Sequence, residues 1–581
     1  MVSPQPCDYL AVMKAGAALI LLFCLQFQSF CQNRYDVVID EIMADPSPQI
    51  GLPNNEWIEL RNTTNVSINL QGWRIGKGTA QSGPMTSFTL QPDSFVIVCS
   101  NSAVTAMSAF GPAISVTSFP SLDNDGDLIF LRSPTGTTIH SVAYSISWYQ
   151  NELKKDGGWT LEMIDSKSPC AGISNWKAST HPQGGTPAKI NSVDAINNDQ
   201  TPPRLKYAFL EDSMTIIAVF DEPVDSLQGA TPANYSIDNG LSITSASTLA
   251  PAFFSVQLKT NDPLITNKLY TLIAHNIADC RNNIMTTSNS AKIGIPVEAQ
   301  PLDIVINEIL SNPRTNGSDY VELFNASQKI FDISRLYLAN RNDAGSISSA
   351  KQICLTHSYF FPGDYLVATE SGASLALNYL VKNPEAVIEL PSLPSYPDDE
   401  GDVIVLNSQG ELIDEVQYKD DWQFKLIANA EGVSLERIDP AGPSTAPANW
   451  HSAASTAGYG TPGYKNSQYK QTQTINAMID VSPRTFSPDN DGRDDIVSIQ
   501  YSVDEPGNVA NITIFNMQGL PIRYLVKNAI LGLTGQWTWD GVDEKGNQLP
   551  IGPYIVYSEI FNLKGKKQQF KNTIVLARRL N

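Results

Sequence analysis

The 581-residue chain reads as all-β, a multidomain string of β-sandwiches, on three observations. Apolar and polar residues alternate through most of the chain in short runs bounded by Asn, Asp, Gly and Pro, the pattern of half-buried strands. Helical periodicity is scarce, and "SGASLALNYL" (371–380) is the best short candidate. An ordered set of signals also occurs twice, which is the mark of a duplicated domain. At roughly 100–200 residues per domain, this length holds about four domains and several buried cores.

The chain opens on a targeting pattern. Lys14 precedes the apolar run "AGAALILLFCL" (15–25), which is short for a membrane span, and "SFCQ" offers small residues before a cleavage near Cys31/Gln32. Residues 1–31 are therefore expected to be a signal peptide, with an uncleaved signal anchor as the alternative. Phe23 precedes Cys24 and Phe30 precedes Cys31, where a lipoprotein anchor would need a small residue. No later stretch is long and apolar enough to cross a membrane. Cys99, Cys170, Cys280 and Cys354 remain, without the C-x-x-C spacing of zinc or redox sites. A Cys99–Cys170 disulfide fits an exported protein, although two buried thiols are the preferred reading. The net charge of −20 repels phosphate backbones and argues against a nucleic-acid partner.

The first repeat begins "VVIDEIMADPSP" (37–48) and the second "IVINEILSNPRT" (304–315). Each continues into a second strand, "NEWIELRN" (55–62) and "SDYVELFN" (318–325). Acidic turns follow, "DNDGDLIFL" (123–131) and "DDEGDVIVL" (398–406), and then the boxes "GWTLEMID" (158–165) and "GVSLERID" (432–439). Asn-Trp comes next, at 175–176 and 449–450, before the closing segments "GGTPAKIN" (184–191) and "YGTPGYKN" (459–466). Glu41 lies 145 positions before Thr186, and Glu308 lies 153 before Thr461. These openings and closings resemble the lamin tail domain, which implies two Ig-like β-sandwiches at 32–196 and 301–467. Copy one carries Met163 where copy two carries Arg437. Arg437 is expected to partner Glu436 or a nearby carbonyl, so that its absence should cost little.

Between the repeats, "TIIAVFDEPVD" (215–225) and "YTLIAHNIADCRNNIM" (270–285) read as strands leading into charged turns. They resemble a bacterial Ig-like module, here 200–297, although "ADCRNN" lacks the usual Gly. Such modules are spacers. The final unit, 478–581, contains "TFSPDNDGRDDI" (485–496), "ITIFNMQGLPIRYL" (512–525) and "WTWDGVDEKGNQLPIGPYIVYSEI" (537–560). It resembles the Ig-like domain of the flagellar hook-capping protein and the C-terminal domains of gliding-associated Bacteroidetes proteins. The basic terminal strand "NTIVLARRL" (572–580) is similar to type IX secretion signals.

Few residues suggest chemistry. The acidic stretch fails the EF-hand test: with Gly492 at position 6, positions 1 and 12 are Ser487 and Ser498. Side chains capping their own turn explain the composition, with a weak calcium site at Asp489, Asp491, Asp494 and Asp495 as the alternative. No other cofactor is expected. Glu41 with Glu59, and Glu308 with Glu322, have the types needed for glycoside hydrolysis. Their recurrence in both copies marks them as fold determinants, so no catalytic residue is assigned. The five histidines show no metal spacing, and no nucleophile elbow, P-loop or dinucleotide fingerprint occurs. Trp57, Trp73, Trp176 and Trp450 fall on domain signatures and should be core. Trp148 and Trp422 follow strands and are the candidates for contact with a glycan or protein.

The expectation is an exported, non-catalytic structural or adhesion protein of a Bacteroidetes-like cell surface, binding an extracellular protein or glycan. Its last domain would serve secretion or attachment. A carbohydrate-binding or enzyme-accessory protein is the alternative, and a hydrolase the remotest reading.

Overall fold

The computed structural model describes residues 32–287, 289–427, 429–469, 478–563 and 566–578. The expected signal segment, and Arg579 and Leu580 of the terminal strand, lie outside the described residues. The architecture is all-β, as the alternation predicts. The short helix expected near 371–380 forms at Gly372–Asn378, where the Ser371 hydroxyl caps the Ser374 N–H. By internal contacts the chain divides into two compact units, one running to Pro263 with Tyr270–Lys292, the other comprising Leu264–Leu269 and everything from Ile293.

In the first unit, a six-stranded sheet has the spatial order Trp176–Ala178, Leu161–Met163, Val37–Met43, Trp57–Asn62, Phe95–Ser100 and Ala113–Val116. A four-stranded sheet built on Gly126–Arg132 and Thr138–Ser145 faces it. Trp73, Ile58, Val98, Ile129 and Trp176 fill the space between them. Two smaller sheets follow within the unit, one centred on Thr215–Phe220 and Ser255–Thr260 and one on Tyr270–Ala274.

The second unit repeats the first plan. Its six-stranded sheet places Leu435–Arg437, Ile304–Leu310, Tyr320–Asn325 and Tyr365–Thr369 side by side, opposite a four-stranded sheet on Glu400–Leu406 and Leu412–Lys419. The duplication extends to register. In copy one the pairing slips between Ile39↔Leu60 and Glu41↔Glu59, and in copy two between Ile306↔Leu323 and Glu308↔Glu322. Asp40 and Asn307 are thus the extra residues of matching β-bulges. The chain ends in three- and five-stranded sheets packed around Trp539, Ile499, Ile512 and Val556. The strand pair expected around Gly519 is Asn508–Phe515 with Pro521–Ile530, and Gly519 adopts φ +78°, which a Cβ would disfavour.

Candidate functional site

The most concentrated polar chemistry lies inside the two repeated sandwiches. Glu41 stands opposite Glu59 on one side and Glu162 on the other, so three neighbouring strands carry one row of carboxyls. Glu308, Glu322 and Glu436 form the same row in copy two. All six are fully buried. What covers them is the closing segment of each domain. In copy one, the Thr186 N–H donates to Glu41 at 2.8 Å and the Thr186 hydroxyl to Glu162 at 2.9 Å. The Ala188 N–H donates to Glu59, and the Ser192 hydroxyl to Glu162 at 2.7 Å. In copy two, Thr461, Gly463 and Ser467 take the same places on Glu308, Glu322 and Glu436. Burial, with neighbouring carboxylates second, pushes Glu41, Glu59 and Glu322 well above the usual carboxylate range and Glu436 to about 8. The rows clasp the end of each domain onto its central strands. They face no solvent a substrate could enter from, so paired acids for hydrolysis are not what the geometry offers. The third glutamate of each row was legible in the repeated T/S-L-E box, where sequence reading treated the box only as a marker.

Of the two partners expected for Arg437, the structure supplies nearby carbonyls and not Glu436, but its burial does not fit the expectation that its absence costs little. Its guanidinium donates to the carbonyls of Ile306 at 3.1 Å, Gly442 at 2.6 Å and Asp439 at 3.2 Å, and forms a buried ion pair with Asp414 at 3.1 Å. Asp414 in turn accepts the Ile306 N–H at 2.8 Å. Copy one carries Met163 in place of this arginine, and its compensation is His140: the ring Nδ1 accepts the Ile39 N–H at 2.8 Å. That leaves Nε2 to carry the proton toward the Pro169 carbonyl at 3.3 Å. Burial lowers the His140 pKa to about 4, which keeps the ring neutral. The two copies therefore exchange an Asp–Arg pair for a His–Met pair as a unit. Aligning one copy against the other exposes this signal.

At the acidic stretch 485–496, the Asp495 carboxylate accepts N–H groups from Asp489 at 3.1 Å, Asn490 at 2.7 Å and Gly492 at 2.8 Å. Asp489 and Asp491 cap the N–H groups of Asp491 and Arg493. Carboxylate oxygens of Asp489, Asp491 and Asp495 also come within 4.8 Å of one another, in a set that does not include Asp494. A second such set, Asp199, Glu222 and Asp279, lies on the first unit, where burial followed by the Asp279 charge raises Glu222 to about 8. Trp148 and Trp422 occupy equivalent one-turn 3-10 helices, Ile146–Tyr149 and Asp420–Trp422. Each is half-buried and packs on the signature tryptophan of its copy, Trp148 against Trp176 at 6.1 Å and Trp422 against Trp450 at 6.4 Å between ring centroids.

The cysteine pairing also differs from expectation. Cys170 is bonded to Cys280, with Cα atoms 6.0 Å apart. Cys99 is a free buried thiol beside Met43, Trp57 and Met107. The bridge joins the turn after the first box to the Asp/Asn-rich turn that follows Tyr270–Ala274, two segments that only the packed fold brings together. Arg34 reinforces this junction, donating to the Val224 carbonyl at 3.0 Å with its guanidinium 3.8 Å from the Phe253 ring centre. The second unit has an apolar junction instead, with Phe424 packed on Val509 and Ile530. Hydrogen bonds run from Ser455 to the Ile530 carbonyl at 2.9 Å and from Gln468 to the Leu531 carbonyl at 3.2 Å. Beside it lies a cleft of about 680 Å³ lined by Tyr464, Tyr469, Lys382, Val503 and Leu533.

These features define a duplicated, internally clasped β-sandwich with rigidified junctions. Residues 32–145 and 298–420 match the model of the Lamin Tail Domain family. Both matches end before the boxes and closing segments that complete each carboxyl row. No curated protein matches this chain. Among solved structures, the chain is 13% identical to domains 1–6 of the bacterial surface layer protein SbsC, covering 66% of this chain and 55% of that one, with a TM-score of 0.16. It is 10% identical to PorZ, a surface component of the type IX secretion system of Porphyromonas gingivalis, covering 91% and 81%, with a TM-score of 0.16. A calcium-stabilised adhesin of an Antarctic bacterium that binds ice is 8% identical, covering 94% and 100%, with a TM-score of 0.12. The chain spans about half the length of the surface-layer structures that it matches. Superposition this poor carries no argument about function.

Proposed function

We propose that this is an exported, non-catalytic cell-surface protein whose sandwiches serve as structural and adhesive modules. The observation that carries this reading is the Cys170–Cys280 bridge, which ties segments 110 residues apart and belongs in an oxidising compartment outside the cytosol. The absence of catalysis is supported by the carboxyl rows, whose acids are all buried and spent on holding the closing segments. Among the described residues, no helix is long and apolar enough to cross a membrane. The domains are read as 32–196, 200–297, 301–467 and 478–581, the last acting in type IX secretion or attachment. Its ligand is an extracellular protein or glycan touched by Trp148 and Trp422, and the acidic loop is a self-capped turn, with a weak calcium site at Asp489, Asp491, Asp494 and Asp495 as the alternative.

The test is secretion of the full chain against a truncation after Ala477 in a host carrying the type IX system, with surface exposure read by protease shaving of whole cells. Retention of the truncated protein in the periplasm supports a secretion module. Unchanged exposure makes the last domain one more structural unit.

A further inference from the structure

We propose that Asp40 enters the core of the first sandwich as the neutral acid and donates its proton to Glu59, so that this clasp holds one proton more than its counterpart in the second.

The two copies supply the argument. At the bulge of copy two, the Asn307 side-chain amide donates to Glu322 at 2.7 Å and to the Asn466 side-chain oxygen at 2.7 Å. The surrounding frame is the same in both. Asn466 donates to the carbonyls of Asn307 and Arg437, and Asn191 donates to those of Asp40 and Met163, with all four distances between 2.9 and 3.0 Å. Copy one replaces the amide by a carboxyl that is 1% exposed. Both Asp40 oxygens and Glu59 Oε1 are then left without a hydrogen-bond partner. The Asp40 oxygens stand where copy two has the donating amide, and Glu59 Oε1 is the counterpart of the Glu322 oxygen that this amide meets. A buried carboxylate without partners costs several kcal/mol, and a single proton on Asp40 restores the missing donor.

A cation does not replace that proton: among the described residues, the carboxylate sets that converge are elsewhere. Nor does Arg61, whose charge reaches Asp40. It is engaged by Asp93 at 2.8 Å and lies 3.9 Å from Asp194. The remaining charged or titratable groups around the bulge are Glu41 on the same strand, Glu162 on the box strand, and His140 from the opposing sheet. Burial raises the Asp40 pKa to about 7 against the lowering pull of the Arg61 charge.

The sign follows. An acid raised from about 3.9 in the unfolded chain to about 7 in the folded one costs nothing at low pH. Its cost then grows by about tenfold in the opening equilibrium per pH unit until pH 7. His140 runs the other way over part of this window, so wild-type slope alone is not diagnostic, and the variant-minus-wild-type difference is.

The experiment is hydrogen exchange of the full chain, read by mass spectrometry on the closing segments 184–193 and 459–468 and normalised at each pH to the unstructured rate. For Asp40→Asn, protection of 184–193 should equal wild type near pH 4 and exceed it by about tenfold per unit up to about pH 7. Asn307→Asp should impose the mirror-image loss on 459–468. The loss should be absent near pH 4 even where the variant opens fully at neutral pH. A pH-independent difference in Asp40→Asn overturns the proposal, as does an Asn307→Asp clasp that is open equally at both ends of the range.

Discussion

Replacing Arg437 by Met in the second sandwich writes copy one's residue into copy two without its compensation. The Arg437 side chain is 0% exposed and the Asp414 side chain 2%, so the change strands a buried carboxylate. Removing one partner of such a pair costs about 3–5 kcal/mol. The bonds to the carbonyls of Ile306, Gly442 and Asp439 are lost as well. Asp414 keeps three donors, the N–H groups of Ile306 and Glu415 and the Ser444 hydroxyl, which favours the lower half of that range. Adding Asp414→His rebuilds the arrangement of copy one, in which a neutral imidazole accepts the strand N–H. The double variant should recover about 2–3 kcal/mol, a coupling typical of residues that share one network. Hydrogen exchange of the amides in Ile304–Leu310 reads the effect within the intact chain. Additivity of the two substitutions would refute the claim that they vary as a unit. A cost below about 1 kcal/mol for Arg437→Met would restore the expectation that this residue is dispensable.

Three further outcomes follow from the same geometry. Reducing the Cys170–Cys280 bridge, or replacing both residues by Ala, should remove up to about 5 kcal/mol from the first unit, given a loop of 110 residues. Faster proteolysis between residues 196 and 204, with the second unit unchanged, is the readout. His140 has a folded pKa near 4 against about 6.5 unfolded, so its contribution is intact above pH 6.5 and declines as pH falls toward 4, by about 3 kcal/mol in all. His140→Gln, whose side-chain oxygen can accept the Ile39 N–H, should abolish that acid-side loss in pH-dependent unfolding of the first unit. Calorimetric titration with calcium tests the alternative for the acidic loop, where a site should bind near the millimolar range and Asp491→Asn should weaken it. A silent titration leaves the loop as a turn capped by Asp489, Asp491 and Asp495.

The sequence made the strands legible because half-buried strands alternate, and the duplication legible because six cues recur in order. The acids were legible as a repeated pair, since Glu41/Glu59 and Glu308/Glu322 stand at fixed places in the opening strands. Their role as fold determinants was legible too, but the row they join was not. A row is completed by a third strand more than a hundred residues away and covered by a segment later still, and linear spacing does not say which strands become neighbours. Cys280 was hidden for the same reason, because its partner belongs to a different sandwich.

Comparison within the chain recovers part of what a single reading misses. Where the copies agree, as at the three glutamates and at the Thr186/Thr461 loop, the shared residue answers a demand of the fold: an N–H or hydroxyl must meet each buried carboxyl group. Where they differ, the differences come in groups that preserve each acceptor's supply of donors. Asp414 with Arg437 becomes His140 with Met163, and both versions accept the N–H of the opening strand. Asn307 becomes Asp40, and the donor is preserved if the acid keeps its proton. In copy two the Asn307 amide and the Arg437–Asp414 pair fill these two places, whereas in copy one they fall to a proton placed on Asp40 and one withheld from His140. The two copies should therefore respond differently to acid, although they share one architecture.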